Sequence, residues 1–370
     1  MQISKIDLKN NIELAFIADF LKPYTKRAYL VGGSVRDLLL GLDIHDYDIE
    51  IYDIEPLKFE KIMQKLCAQG FGKSFFVYKY KNYDLALART ESKTTLGHRG
   101  FEVKLCHDEK IAAKRRDFTI NACMINLFNN EFLDFYDGIY DLNHKIIRHI
   151  DDESFQEDSL RILRAIVFAS RFDFRIADES LKLMQKMDIS DLSLDRINTE
   201  LYKFFKTKHL NLGYEYLQKL NLDEKIFGFH FINDEFQNLL KKAQEKINDE
   251  ALFLYLYLNF FQIDQREFFL KTKLKKNLLR SSMQAYFQDE IDDFEMMEIA
   301  LEMPLKNWLG LWSNLRIEQA KRLKIYDQKF KIQINSDLLT KQSLKGNDLA
   351  IKIKELKKEQ IQNYLNKEEK

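Results

Sequence analysis

A chain of 370 residues is long for one ordinary domain and suggests two or three packed units, at about 100 to 200 residues each. Its 45% hydrophobic content, with 29 Phe and 17 Tyr, excludes a disordered chain, and 3 Pro with 12 Gly exclude collagen-like and low-complexity architectures. Lys plus Arg balance Asp plus Glu at 58 each, so net charge gives no global sign of a nucleic-acid partner. Residues 321–370 nevertheless carry thirteen basic against seven acidic side chains, net +6, which leaves −6 for the rest. That basic end is a candidate contact surface, or simply a solvated helix face. Cys67, Cys106 and Cys123 form no C-x-x-C pair, so neither a disulfide framework nor a zinc site is expected. The longest apolar-rich run, 251–261, is well short of the about 20 residues that span a bilayer. A soluble, cytoplasmic protein of a reducing compartment fits these features.

Eight of the twelve glycines lie at or before Gly138, interleaved with short β-branched and aromatic runs. In chain order the patterns predict a strand at 27–31, a helix at 34–40, a strand at 46–52, a helix at 56–69, strands at 74–80, 83–88 and 101–105, and a helix at 108–116. The polar, glycine-bearing stretch 88–103 reads as a mobile loop. From about residue 156 the hydrophobic period changes to 3.6, and the remainder reads as helices. The fold class is therefore α+β: a mixed-sheet head at 1–143, a helical neck at 144–205, and a helical body and tail at 206–370.

The stretch YLVGGSVRDLLLG, followed by LDIHDYDIEIY, carries the strongest chemical signal. Gly32 and Gly33 permit a tight turn and close approach of a phosphate to backbone amides; Ser34 can cap the next helix; Arg36 in its first turn can meet anionic oxygens. A Gly-Gly pair after a strand also serves merely to turn a chain. Asp46 and Asp48 stand two apart on a predicted strand, on one face, with Tyr47, Ile49 and Ile51 on the other. Two adjacent carboxylates repel unless a cation joins them, and hard oxygen ligands favour Mg²⁺. Two Mg²⁺ so held could activate an attacking hydroxyl and stabilise a leaving pyrophosphate in an in-line displacement. Asp-x-Asp is also a common surface sequence.

Gly32-Gly33-Ser34-Val35-Arg36-Asp37, with Asp46-Tyr47-Asp48 beginning ten residues after Arg36, resembles the head-domain motif of the class II tRNA nucleotidyltransferases and bacterial poly(A) polymerases. The resemblance implies a polymerase-β-like nucleotidyltransferase head. Further motifs follow in that family's order. KRRDFTINA (114–122) resembles the second, and implies that Arg116, Asp117 and Asn121 fix the ribose and phosphates of an incoming nucleotide; the bare residues fit a local ion pair as well. DGIYDLNHKIIRHI (137–150) resembles the joint between head and neck. EDSLRILRA (157–165) resembles the motif that selects a base without a template. Asp158 and Arg161, three apart on a helix, share a face. A carboxylate acceptor and a guanidinium donor can meet the exocyclic amino group and ring acceptor of cytosine or adenine, whereas the carbonyl oxygens of uracil and guanine would face the carboxylate. An i, i+3 salt bridge is the plain alternative. Arg164 would, by resemblance, reach the nucleotide's phosphates. Val167 departs from the polar residue that many members carry one turn further on. SLDRINTEL (193–201) resembles the last neck motif, with Arg196 as a brace, and Asp84 is a candidate third carboxylate.

The resemblance implies addition of C and A from CTP and ATP to a tRNA 3′ end, with Mg²⁺ held by the catalytic pair Asp46 and Asp48. Retention of the 88–103 stretch leans toward complete CCA addition or A addition. An A-adding enzyme, a poly(A) polymerase and a non-catalytic RNA-binding protein on the same fold are the rival readings, and a nucleotide-sugar glycosyltransferase would leave the later motifs unexplained. The run 268–280 and the basic end could contact tRNA phosphates; the aromatic run 251–261 reads as core, and 343–356 faintly resembles a tail segment of some relatives. No membrane is expected, and the sequence leaves protein partners open.

Overall fold

A computed structural model describes residue 8 and residues 12–71, 76–93, 101–332 and 347–368. Contacts gather the chain into two compact units, Met1–Glu200 and Leu201–Lys370.

The first unit is organised on strands β1 (Ala28–Val31), β2 (Tyr47–Ile51), β3 (Gln69–Phe71), β4 (Val77–Tyr80), β5 (Tyr83–Leu87), β6 (Arg89–Lys93), β7 (Phe101–Leu105), β8 (Met124–Asn126) and β9 (Phe132–Leu133). Seven of them form one mixed sheet in the order β3-β4-β5-β2-β1-β8-β9. Every neighbouring pair is antiparallel except β2 with β5, which run parallel. A parallel pair needs a crossover connection. Here the amphipathic helix Pro56–Lys65 supplies it, burying Phe59, Ile62 and Met63. The helix Gly33–Leu39 follows β1 directly, and helix Glu109–Lys114 is capped by the Asp108 carboxylate, which accepts from the Ile111 amide at 2.9 Å.

Two expectations change. The stretch 88–103 is not wholly loop, because β6 and β7 pair as an antiparallel ladder with Arg89 opposite Leu105 and Lys93 opposite Phe101. Its segment 94–100, and residues 74 and 75 of the strand expected at 74–80, lie outside the described residues. The region past 143 is not purely helical either. Strands β10 (Ile146–Ile147) and β11 (Arg175–Ile176) form a short parallel ladder, flanked by helices Leu160–Phe172 and Asp178–Met184.

The joint expected at 137–150 is a cap and a buried contact. Asp134 accepts the amides of Gly138 and Ile139 at 2.8 and 2.9 Å, starting the helix Gly138–Asn143. Buried Asp141 on that helix accepts from the Thr119 hydroxyl at 2.7 Å and pairs with Arg148.

In the second unit the helix Leu252–Phe260 is core, as its composition suggests: Leu252 through Leu258 are at most 1% exposed. Phe253 stacks on Phe205 and Tyr257, and Phe204, Tyr214, Phe227 and Phe236 pack edgewise or tilted around Phe253. A second cluster surrounds Trp308 with Met296, Met297, Leu305 and Leu323, and Ile361 of the 22-residue helix Asn347–Glu368 belongs to it. Lys271, Lys273, Lys275, Lys276 and Arg280 of the basic run are exposed while Phe268, Phe269, Leu274 and Leu278 are buried. Residues 343–346 of the faint tail resemblance lie outside the described residues.

Gly138 packs against the head so closely that an added Cβ would lie 2.4 Å from the Thr119 carbonyl oxygen and 2.7 Å from the Cys123 sulfur. Gly138→Ala is therefore expected to destabilise the first unit by about 1 to 3 kcal/mol, as overpacking does. Thermal and urea unfolding compared with wild type measure this; an unchanged midpoint would contradict the contact.

Candidate active site

The strand β2 sets the chemistry. Asp46 lies just before it and is largely exposed, Asp48 is half-buried within it, and Glu50, two residues on, is 1% exposed. The expectation of two carboxylates projecting from one strand is thus shifted by one residue at its start: Asp46 leads into the strand instead of lying in it. What holds that lead-in is Ser34. Its hydroxyl donates to the Asp46 carbonyl and accepts from the Asp48 amide, both at 2.9 Å. Ser34 is not the helix cap that its position suggested; the helix begins at Gly33 behind Gly32, and no side chain caps it. The serine pins the two-aspartate segment to the glycine turn.

Parallel pairing places Asp84 of β5 directly opposite Asp48. Like charges in register are destabilising. Burial pushes the Asp48 carboxyl above the ordinary carboxylate range; Arg116 partly opposes this, and the Asp84 and Asp46 charges add to the rise. Lys79 of β4 reaches both outer aspartates, with its ammonium 3.3 Å from Asp46 and 3.3 Å from Asp84. Buried Glu50 is compensated differently. It accepts from Arg115 at 2.8 Å, Arg116 at 3.1 Å and the Tyr52 hydroxyl at 2.6 Å. Burial alone would raise the Glu50 carboxyl, and the Arg116 and Arg115 guanidiniums outweigh it, so that its pKa lies below the ordinary 4.5.

Asp48, Glu50, Asp84 and Lys79 line one cleft of about 390 Å³, together with Arg89, Arg115 and Arg116. At its end stands Gly32, with φ +67°, where an added Cβ would meet the Arg116 guanidinium at 3.0 Å and the Asp48 carboxylate at 3.2 Å. A side chain there would be strained by its backbone and by both neighbours. The space over Gly33 is taken by Arg36 itself, 3.3 Å from where a Cβ would stand.

Arg36 is not on the cleft wall. It is 4% exposed, donates to Asp37 at 2.7 and 2.8 Å and to Asn121 at 2.7 Å, and packs against the stacked rings of Phe168 and Phe172. From it runs a buried chain of polar contacts. Asn121 donates to Asp117 at 2.9 Å, and Asp117 accepts the Phe118 amide at 2.9 Å and Arg164 at 2.7 Å. Burial acts to raise the Asp117 carboxyl, and Arg164 and Asn121 more than reverse this. Arg36, Asp117, Asn121 and Arg164, expected to touch nucleotide, thus join the helix Gly33–Leu39, the turn at 117–121 and the helix Leu160–Phe172 to one another.

Asp158 and Arg161 come together at the start of that helix, each with protein partners. Asp158 accepts from Arg196 at 3.1 and 3.2 Å, and Arg161 donates to the carbonyls of Ser154 and Arg115, both at 2.8 Å. Arg196 therefore braces the neck through Asp158. Val167, the departure from the resemblance, is buried.

The site contains groups that pattern-reading passed over. Glu50 continues the period of two from Asp46 and Asp48, a signal present in the sequence. Lys79 gave no such signal, because only the register of β4 on β5 brings it to Asp84.

The fold and cleft define a nucleotidyltransferase head: residues 28–148 match the Poly A polymerase head domain. The relatives extend the match over most of the chain. A CCA-adding enzyme of Lactococcus lactis subsp. cremoris is 30% identical over 92% of this chain and 90% of its own length. One from Staphylococcus haemolyticus is 35% identical over 64% of this chain and 58% of its own. This chain belongs to the family of CCA-adding enzymes. Among solved structures, the Thermotoga maritima CCA-adding enzyme complexed with tRNA superposes with a TM-score of 0.69 at 22% identity, covering 98% of this chain and 93% of that one. The Bacillus stearothermophilus CCA-adding enzyme in complex with CTP gives 0.68 at 21% identity, covering 92% and 90%. At that identity the likeness is one of fold. Among the described residues no helix is long and apolar enough to cross a membrane.

Glu50→Gln leaves Arg115 and Arg116 facing a neutral buried group, and breaking a buried pair costs about 3 to 5 kcal/mol. Because the folded-state pKa of Glu50 is depressed, its stabilisation is present above about 4.5 and is lost as pH falls through the folded value. Denaturant melts should therefore show a large wild-type advantage at pH 7 that shrinks below pH 4; an equal gap at both would contradict the ion-pair origin.

Proposed function

We propose that this protein is a template-independent tRNA nucleotidyltransferase that adds C and A from CTP and ATP to the tRNA 3′ end, making or repairing CCA. The observation that carries this is the single cleft in which Asp48 and Asp84 face Arg115 and Arg116, in a chain of this family. The head is the catalytic part, the neck reads the base, and the body and tail grip tRNA, where the exposed cations of the run 268–280 suit phosphate contacts of low sequence preference.

Nucleotidyl transfer of this family is metal-dependent, and the chain's residues suit a divalent cation. Lys79 already acts as a stand-in ion between Asp46 and Asp84, and Asp48 is left under-compensated beside them. Among the described residues no three His, Cys, Asp or Glu side chains converge as a ready-made cage. Asp46 and Asp48 would hold Mg²⁺, which lowers the pKa of the attacking hydroxyl and neutralises charge on the leaving group.

In the reaction the tRNA 3′-oxygen forms a bond to the α-phosphorus while the bond to the bridging oxygen of pyrophosphate breaks, with the hydroxyl proton lost to solvent or a neighbouring base. The protein's part is placement and charge. Ser34 fixes the peptide between Asp46 and Asp48, so the two carboxylates keep their spacing. Glu50 holds Arg115 and Arg116 from behind, which fixes two cations where a triphosphate would lie. The chain from Arg36 through Asn121 and Asp117 to Arg164 keeps the neck helix aligned on that cleft.

Base choice belongs to Asp158 and Arg161. Reading a base requires each to exchange its present partner, Arg196 for Asp158 and the two carbonyls for Arg161. An amino group on cytosine or adenine replaces one donor with another, whereas a carbonyl from uracil or guanine leaves the carboxylate without one.

Asp46→Ala and Asp48→Ala should each lower incorporation of labelled CTP into tRNA lacking CCA by at least about a hundredfold, as expected for loss of transition-state charge stabilisation, with the fold unchanged by circular dichroism. Asp158→Ala should narrow the preference for CTP and ATP over UTP and GTP. Wild-type turnover in Asp46→Ala would sink the mechanism, and unchanged nucleotide preference in Asp158→Ala would sink the base-reading role.

A further inference from the structure

We propose that Lys79 is a resident cation of the carboxylate cluster, holding Asp46 and Asp84 together until a divalent metal ion displaces it. The inference rests on the metal-holding role given above to Asp46 and Asp48.

Its basis is the arrangement of three strands. Lys79 of β4 is the register partner of Asp84 of β5, and Asp84 is the register partner of Asp48 of β2. One ammonium and two carboxylates therefore lie in a row across the sheet, on the side that lines the cleft. The ammonium reaches beyond its own row to Asp46, so it bridges two of the acids at 3.3 Å each. Glu50 has its own two arginines, and Arg116 is the cation that acts most strongly on Asp48. Asp46 and Asp84 share Lys79.

Charge balance gives the consequence. Asp46, Asp48, Glu50 and Asp84 meet Arg89, Arg115, Arg116 and Lys79 at the cleft, so four carboxylates are already balanced by four cations. A divalent ion seated on Asp46 over-neutralises the group while Lys79 remains, and the two cations repel across one carboxylate. The ammonium sits on a flexible four-carbon stem and is about two-fifths exposed, so it can leave without moving the strand. Metal binding is then an exchange of cations, and the carboxylates are never left to repel one another unscreened.

The test uses Mn²⁺ alone, without nucleotide or tRNA, on the full chain, with free Mn²⁺ followed by electron paramagnetic resonance. Lys79→Met removes the competing charge and should bind Mn²⁺ roughly fivefold more tightly, the size expected for two partly exposed ion pairs. In EDTA the same variant should melt below wild type, with the deficit closed by Mn²⁺. Lys79→Arg keeps charge and reach and should bind like wild type. Lys81→Met removes an equal charge two residues along, from an ammonium that lies over the Tyr80 ring, and should also bind like wild type. Equal or weaker binding by Lys79→Met overturns the proposal, and so does an equal gain in Lys81→Met, which would reduce the effect to the general field. Saturable binding that Asp46→Ala removes but Lys79→Met does not change defeats the Lys79 inference alone. Absence of saturable binding in wild type defeats the metal-holding role itself and this inference with it.

Discussion

Repulsion among carboxylates on adjacent strands is the constraint around which the head is arranged. Asp46, Asp48 and Glu50 come from one strand and its lead-in, and parallel pairing adds Asp84 beside Asp48. Left alone, that set would oppose folding, since buried or half-buried carboxylates are costly without partners. The surrounding sequence supplies cations from two directions: Arg115 and Arg116 from just past the helix Glu109–Lys114, and Lys79 from the strand beside β5. In the function proposed above, the same charges that let the sheet form would receive a polyanionic substrate and its metal. Stability and chemistry here share one set of residues, which is why Glu50 is buried so completely although it need not touch any ligand.

A second layer of support lies behind the cleft. The glycine turn, the turn at 117–121 and the helix Leu160–Phe172 are far apart in sequence and are joined by the contacts from Arg36 to Asn121, Asp117 and Arg164. Ion pairs within this network gain from burial, because they are little screened and each member satisfies another's hydrogen bond. Residues that the family pattern presents as a list of nucleotide contacts thus form, in this arrangement, the frame that sets the neck helix against the head.

Much of this was legible in the sequence. The alternation about Asp48 marked a strand with one buried face, the change of period near residue 156 marked the helical part, and the run at 251–261 was marked as core by its composition. Local rules failed where a tertiary partner overrode them. Ser34 looks like a helix cap because of its position, yet its hydroxyl is drawn to the Asp46–Asp48 segment twelve and more residues away. The stretch 88–103 looks like loop because its glycines and polar residues cluster, while the ladder between β6 and β7 is a property of pairing. Arg36 looks exposed in a first helical turn, and it is the rings of Phe168 and Phe172, more than 130 residues on, that enclose it. Lys79 depends wholly on strand register, which no single-strand pattern carries.

The account's central claim is that this cleft extends tRNA with cytidine and adenosine and stops. The direct measurement is incorporation of labelled CTP and ATP, separately and together with Mg²⁺, into tRNA transcripts ending before CCA, after C and after CC, with UTP, GTP and an unrelated RNA as controls. The account predicts completion of CCA from every starting point, followed by arrest, with neither UTP nor GTP used. Adenosine added only to the CC-ending transcript, repeated adenosine on any RNA, or no addition to any transcript would contradict it.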